Sequence, residues 1–102
     1  MIEFLVDDDA RADVVEAALW YELRQPGLGP QFIAAAERAF SVVRSHGEFV
    51  TQPLAKTRGR IIRRVFLARF PYRVIFVDGA DFRRVIGVLR HGRADRAWKR
   101  RL

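Results

Sequence analysis

Residues 60–90 read RIIRRVFLARFPYRVIFVDGADFRRVIGVLR, and this stretch decides the fold. Three runs, 60–67, 72–77 and 82–90, are rich in Val, Ile, Leu and Phe, the residue types that suit a pleated, half-buried surface. Phe70-Pro71 separates the first run from the second. Asp78-Gly79-Ala80-Asp81 separates the second from the third, and an Asp-Gly step between apolar runs is a strong hairpin signal. The stretch therefore predicts three antiparallel strands. Period-two alternation sends Arg73, Ile75 and Val77 to one side of the middle strand and Tyr72, Val74 and Phe76 to the other. Both sides carry apolar residues, so both call for cover.

Toward the N-terminus the period changes. Val14, Val15, Ala18, Leu19 and Leu23, with Trp20 and Tyr21 beside them, recur at helical spacing between Ala10 and Arg24. Asp7, Asp8 and Asp9 supply cap candidates and negative charge where a helix N-terminus favours it. Gln25-Pro26-Gly27-Leu28-Gly29-Pro30 stops this helix and starts another. The second helix carries Phe32, Ile33, Ala36, Phe40 and Val43 on one stripe and is expected to end near Ser45-His46-Gly47. Residues 2–6 read as a short strand, expected at a sheet edge. The stretch with Pro53 and Gly59 reads as a loop, and Asp95 to Leu102 as a final helical turn. The expected architecture is α+β in the order β-α-α-β-β-β, a single domain over 1–102. Its helical hairpin spans about 9–46, its basic sheet half about 60–91 and its C-terminal turn 95–102. One face of the sheet is expected to lie bare.

Half of the residues are apolar and 30% are charged, a globular composition. There is no cysteine, which excludes disulfides and thiolate metal sites, and two histidines make a poor zinc site. No metal and no cofactor are expected. The N-terminal run enters Asp7-Asp8-Asp9 and has neither the basic start nor the apolar core of a signal peptide. No run reaches membrane-spanning length, so a cytoplasmic protein without a membrane partner is expected. The net charge of +7 conceals a segregation. Residues 1–50 hold four Arg against nine acidic residues, a net −5, while residues 51–102 hold fifteen basic residues against three Asp, a net +12. Seventeen of the nineteen basic residues are Arg, whose planar fork clamps phosphate or carboxylate and stacks on rings. Such asymmetry points to a face for a polyanion or an acidic protein.

Several segments now resemble a known family. Tyr21-Glu22 with Pro26-Gly27-Leu28-Gly29, Gln31-Phe32 and Ala36-Glu37-Arg38-Ala39 is similar to the helical hairpin of the ParE/RelE toxins of type II toxin–antitoxin systems. Arg63-Arg64 ahead of Arg69-Phe70-Pro71-Tyr72-Arg73-Val74-Ile75-Phe76 resembles their central hairpin. Val88-Leu89-Arg90-His91-Gly92-Arg93, with Asp95 and Trp98-Lys99-Arg100, resembles their last strand and C-terminal turn. The resemblance implies a growth-inhibiting toxin, of the kind associated with plasmid stabilisation. It also implies a hetero-oligomer with a cognate antitoxin, whose acidic or amphipathic C-terminal segment folds on binding.

The family holds two activities. ParE-like members inhibit DNA gyrase, and RelE-like members cut messenger RNA on the ribosome. Metal-free RNA cleavage needs a base, a proton donor and cations for the developing phosphorane charge. Cations abound, but after Glu48 the only carboxylates are Asp78, Asp81 and Asp95. His91 is the one residue of suitable pKa, with Tyr72 far behind. The resemblance places His91 and Arg73 near the histidine and the phosphate-binding arginine of such nucleases; should the chain be a nuclease, His91 is expected as base or acid with Arg73 and Arg64 as phosphate clamps. The shortage of bases favours the ParE-like reading, a binding toxin directed at gyrase or the replication machinery. Arg60, Arg63, Arg64, Arg73, Arg90, Arg93 and Trp98 are then the candidates for contact with target or antitoxin. A basic nucleic-acid-binding module without toxicity is the third reading. Plainer roles stand beside these: His91 as a hydrogen-bonded strand-end residue, Arg73 pairing with Asp78 or Asp81, and Trp98 packing the C-terminal turn onto the sheet.

Overall fold

A computed structural model describes residues 2–92 and 96–102, and their side chains except those of 47–50, 96 and 97. The elements run β1 (Glu3–Val6), α1 (Asp8–Arg24), α2 (Leu28–Val50), β2 (Gln52–Thr57), β3 (Arg60–Phe66), β4 (Tyr72–Asp78), β5 (Phe82–Arg90) and α3 (Arg96–Lys99). The architecture is α+β, as the sequence predicts, and the three strands of residues 60–90 lie where expected. The sheet has five strands in the order β1-β5-β4-β3-β2 and is mixed, because β1 pairs with β5 in parallel.

The extra strand is a correction. Residues 52–57 carry Pro53 and little apolar character, which reads as loop; in fact they form the outer strand, where proline lacks no required donor. A register shift between Pro53 and Ala55 accommodates it. The β2–β3 connection is Arg58-Gly59, with φ of 51° and 75°, the left-handed pair of a two-residue hairpin turn.

α1 and α2 form an antiparallel hairpin on one face of the sheet. Gly27 adopts φ 94° where the chain reverses. Glu22 accepts hydrogen bonds from the Gly27 and Gly29 amides (3.0 and 2.9 Å), satisfying donors at the start of α2. A Cβ on Gly29 would meet the Ala18 carbonyl oxygen at 2.9 Å, so the two helices cross closely there. α2 has a non-helical residue at His46 (φ −139°), where the sequence predicts the helix to end. Alanines at 10, 17, 18, 35, 36 and 39 let both helices sit low on Val74, Phe76, Val85 and Val88. Phe32 stands at the centre of an aromatic group with Tyr21, Phe70 and Tyr72, its ring 4.9–5.6 Å from theirs.

The other face has its own core. Ile62, Ile75, Val77, Ile86 and Leu89 are buried there beneath Trp98, with Leu54, Ala55 and Phe82 at the margin. The expected bare face is thus filled at its centre by the C-terminal turn. Arg101 fastens that turn: its Nη2 donates to Asp13 Oδ1 at 3.1 Å and its Nη1 to Ile86 O at 3.1 Å and to Asp13 Oδ2. Hydrogen bonding to Asp13 holds the guanidinium more firmly protonated than usual. A Cβ on Gly87 would approach Arg101 Nη1 to 2.9 Å, so the glycine makes room for this strap. Among the described residues no helix is long and apolar enough to cross a membrane.

Candidate functional site

Two surfaces gather the residues with chemistry to offer. The first follows from the register. β1 spans only Phe82–Val85 of β5, so among the described residues Ile86–Arg90 has no strand on the side away from β4. α1 lies along this edge, and Asp13 accepts the Val88 amide at 2.9 Å. Beyond Asp13 the helix and the edge diverge into a groove of about 640 Å³, between Leu19, Trp20 and Leu23 on the helix and Tyr72, Arg90 and His91 on the sheet. Val15, Leu19 and Leu23 are 58%, 60% and 86% exposed, at i, i+4 and i+8 on one helical stripe. Trp20, also substantially exposed, lies under the Arg24 guanidinium at 3.4 Å from the ring centroid. The apolar residues that recur at helical spacing divide: Ala10, Ala17 and Ala18 are buried, with Val14 and Tyr21 packed against the same core, while Val15, Leu19 and Leu23 turn outward. The adjacent pair Val14-Val15 signals the difference, because neighbouring helical positions cannot face one way.

The second surface is the side of the sheet opposite the α1–α2 hairpin, around the margin of the C-terminal turn. Arg60, Ile62, Arg64 and Phe66 alternate onto it from β3, opposite Arg73, Ile75 and Val77 from β4. Arg64 donates to Gln52 (3.2 Å) and lies 5.2 Å over Phe66, whose other neighbour is His91, edge-on at 4.9 Å. Phe66 is 44% exposed. Arg60 stacks 5.3 Å from Phe82.

The sequence-derived site residues therefore divide. His91 and Arg64 come together at Phe66. Arg73 belongs to the same end of the sheet, but it is 4% exposed and donates to the Arg90 carbonyl at 3.2 Å. Arg63 lies on the helix-covered side, paired with Asp78 at 2.9 Å. Arg83, which sequence reasoning passed over, is buried there too and donates to the Val43 carbonyl at 2.8 Å, tying β5 to α2. Arg90 and His91 are exposed at the first groove. Trp98 is 2% exposed and serves the core of the second face. Arg93 lies outside the described residues. Among the described residues no group of His, Cys, Asp and Glu is placed to hold a metal.

No protein-family model matches the sequence, and no curated protein matches it significantly. The backbone does find a match. A solved chain from the chromosomal ParDE toxin–antitoxin system of P. aeruginosa superposes with a TM-score of 0.75, covering 88% of this chain and 96% of that one, at 14% identity. The chain has that neighbour's fold. The likeness spans the helical hairpin and the sheet together, the two parts on which the resemblance in the sequence rests.

Proposed function

We propose that this chain is the toxin of a type II toxin–antitoxin module, neutralised by an antitoxin segment lying on the outer stripe of α1 and in the groove beside β5. The observation that carries this reading is the row Val15, Leu19 and Leu23, with Trp20 alongside, exposed next to an apolar groove. A contiguous apolar stripe of this kind on a small basic chain marks a surface meant to be covered. An amphipathic helix laid in the groove would present anchors at matching spacing. The basic second half would accelerate encounter with an acidic tail. The shared fold with a ParDE chain supports the same conclusion.

For the activity, the reading is inhibition of DNA gyrase by binding. The carboxylates of the sheet half support it: Asp78 is occupied by Arg63 and Arg83, and none is paired with His91 among the described residues. Cleavage of ribosome-bound messenger RNA is the second reading, favoured by the convergence of His91 and Arg64 on Phe66. Induced expression without a partner should arrest growth under both. Purified protein should then inhibit supercoiling or trap cleaved DNA, and His91→Ala should leave that effect intact. Prompt appearance of cut messages, lost in His91→Ala at unchanged stability, would transfer the chain to the second reading. Normal growth would remove the toxin reading altogether.

A further inference from the structure

At the far end of the face opposite the α1–α2 hairpin, away from the α1 groove, lies a second cavity of about 230 Å³. Arg58, Arg60 and Arg84 line it together with Thr57, with Ile62, Val77 and Leu102 as its apolar floor. We propose that this cavity is a binding site for a phosphate group, independent of the antitoxin groove.

Four features carry the assignment. The three cations are under-neutralised: among the described residues Arg58 and Arg60 have no carboxylate within ion-pair distance, and Arg84 has only Asp7, at 3.7 Å. Guanidinium groups that line one cavity with a single loosely held carboxylate among them repel one another, and an anion between them relieves this. The Arg84 Nε atom is buried and lies 3.7 Å from Asp7 Oδ2 without a hydrogen bond, so Asp7 neutralises this guanidinium only loosely. Arg58 holds φ 51° at the first position of the hairpin turn, where asparagine or glycine is favoured, so a long cationic side chain occupies a place the backbone alone does not favour. Finally, the donor count fits phosphate. Three guanidinium forks offer more donors than the two oxygens of a single carboxylate can accept, while a tetrahedral phosphate presents several acceptors in different directions. The apolar floor lowers the local dielectric and strengthens these contacts. Arg60 is held in place by its stack on Phe82, which limits the freedom it must lose on binding.

The test is an NMR titration of the full-length, nitrogen-labelled chain, following the arginine Nε–Hε resonances. The probe is inorganic phosphate at constant ionic strength, with acetate as the carboxylate reference. Saturable shifts of Arg58, Arg60 and Arg84 are expected with phosphate, and weak, unsaturated shifts with acetate. Arg58→Gln and Arg84→Gln should each weaken phosphate binding roughly tenfold, as expected for loss of one charge-assisted hydrogen bond. Arg100→Gln, on the exposed end of the C-terminal turn, should leave it unchanged. Arg58 sits at an exposed hairpin tip, so its variant remains informative even if Arg84→Gln perturbs folding. Equal shifts with acetate, non-saturating shifts spread over all surface arginines, or unaltered binding in Arg58→Gln would each overturn the proposal. Competition by ten-nucleotide single-stranded DNA then identifies the source. Displacement only by the 5′-phosphorylated strand would assign a phosphomonoester, and displacement by both forms a backbone phosphodiester.

Discussion

The two helices of the hairpin lie on the same sheet and meet the same core, yet they are built to different plans. α2 buries Phe32, Ala35, Ala36, Ala39 and Val43 and turns Glu37, Arg38, Ser41 and Arg44 outward, with Ile33 of the expected stripe its one large apolar side chain left exposed among the described residues. α1 buries alanines and turns Val15, Leu19 and Leu23 outward. Small residues inward bring α1 close to β5, and large residues outward leave it half-finished. The difference separates stability from recognition. Substitutions on α2's buried side should unfold the chain, whereas substitutions on α1's outer side should spare the fold and cost only the partner.

The largest effect should come from Phe32→Ala. The variant empties the centre of the aromatic group with Tyr21, Phe70 and Tyr72 and should lower stability by about 3–5 kcal/mol in urea unfolding. A loss below about 1 kcal/mol would mean that the hairpin is not anchored through this ring. Leu19→Ser combined with Leu23→Ser is the converse test. Unfolding should shift by no more than about 0.5 kcal/mol, since both side chains are already in water. Affinity for the antitoxin should fall by about 2 kcal/mol or more, near thirtyfold, if the stripe is the centre of that interface. A doubly substituted chain that still binds its antitoxin at full strength would end the comparison between the helices.

The legible part of this molecule is what its own core requires. The strands at 60–90 announce themselves through β-branched runs and an Asp-Gly turn, and α2 through a clean stripe. Three features were not legible, each for a physical reason. β2 is an edge strand with one neighbour, so it needs neither strong alternation nor freedom from proline, and Gln52-Pro53-Leu54-Ala55-Lys56-Thr57 carries no strand signature. The orientation of α1 was ambiguous because apolar residues occupy both of its sides, and periodicity alone cannot say which side meets the sheet. The cover on the second face depends on Trp98 and on a strap from Arg101 to Asp13, 88 residues away in the chain, which no local pattern encodes. At the candidate sites, the exposure of Arg60 and His91 and the half-burial of Arg64 follow from strand alternation and loop position. The burial of Arg73, by contrast, does not follow from alternation, and its guanidinium donates to the Arg90 carbonyl of the neighbouring strand.

That strap supplies the third test. Arg101→Ala removes the charge-assisted bonds to Asp13 and the one to the Ile86 carbonyl, leaving Asp13 with the Val88 amide. Both side chains are mostly buried, so a loss of about 1.5–3 kcal/mol is expected in urea unfolding. This ties the comparison to the inner side of α1: the helix is fastened to the sheet and to the tail through Asp13, while its outer side stays free. If Arg101→Ala instead left stability unchanged, the tail would be held by Trp98 alone, and α1 would owe its position to the alanine packing.

The smallest effect concerns Arg24, and it is the finest probe of α1's outer side. Its guanidinium covers one face of the Trp20 ring, an exposed cation–π contact worth about 0.5–1 kcal/mol. The chain has two tryptophans, one exposed at position 20 and one sealed at position 98, so acrylamide quenching of fluorescence separates them without labels. Quenching should be confined to Trp20, should rise in Arg24→Ala as the covered face opens, and should fall when the antitoxin binds. Unfolding should move by no more than the contact itself is worth. A quenching constant that ignores the antitoxin would show that Trp20 stays in water in the complex, and the recognition surface on α1 would then shrink to the line from Val15 to Leu23.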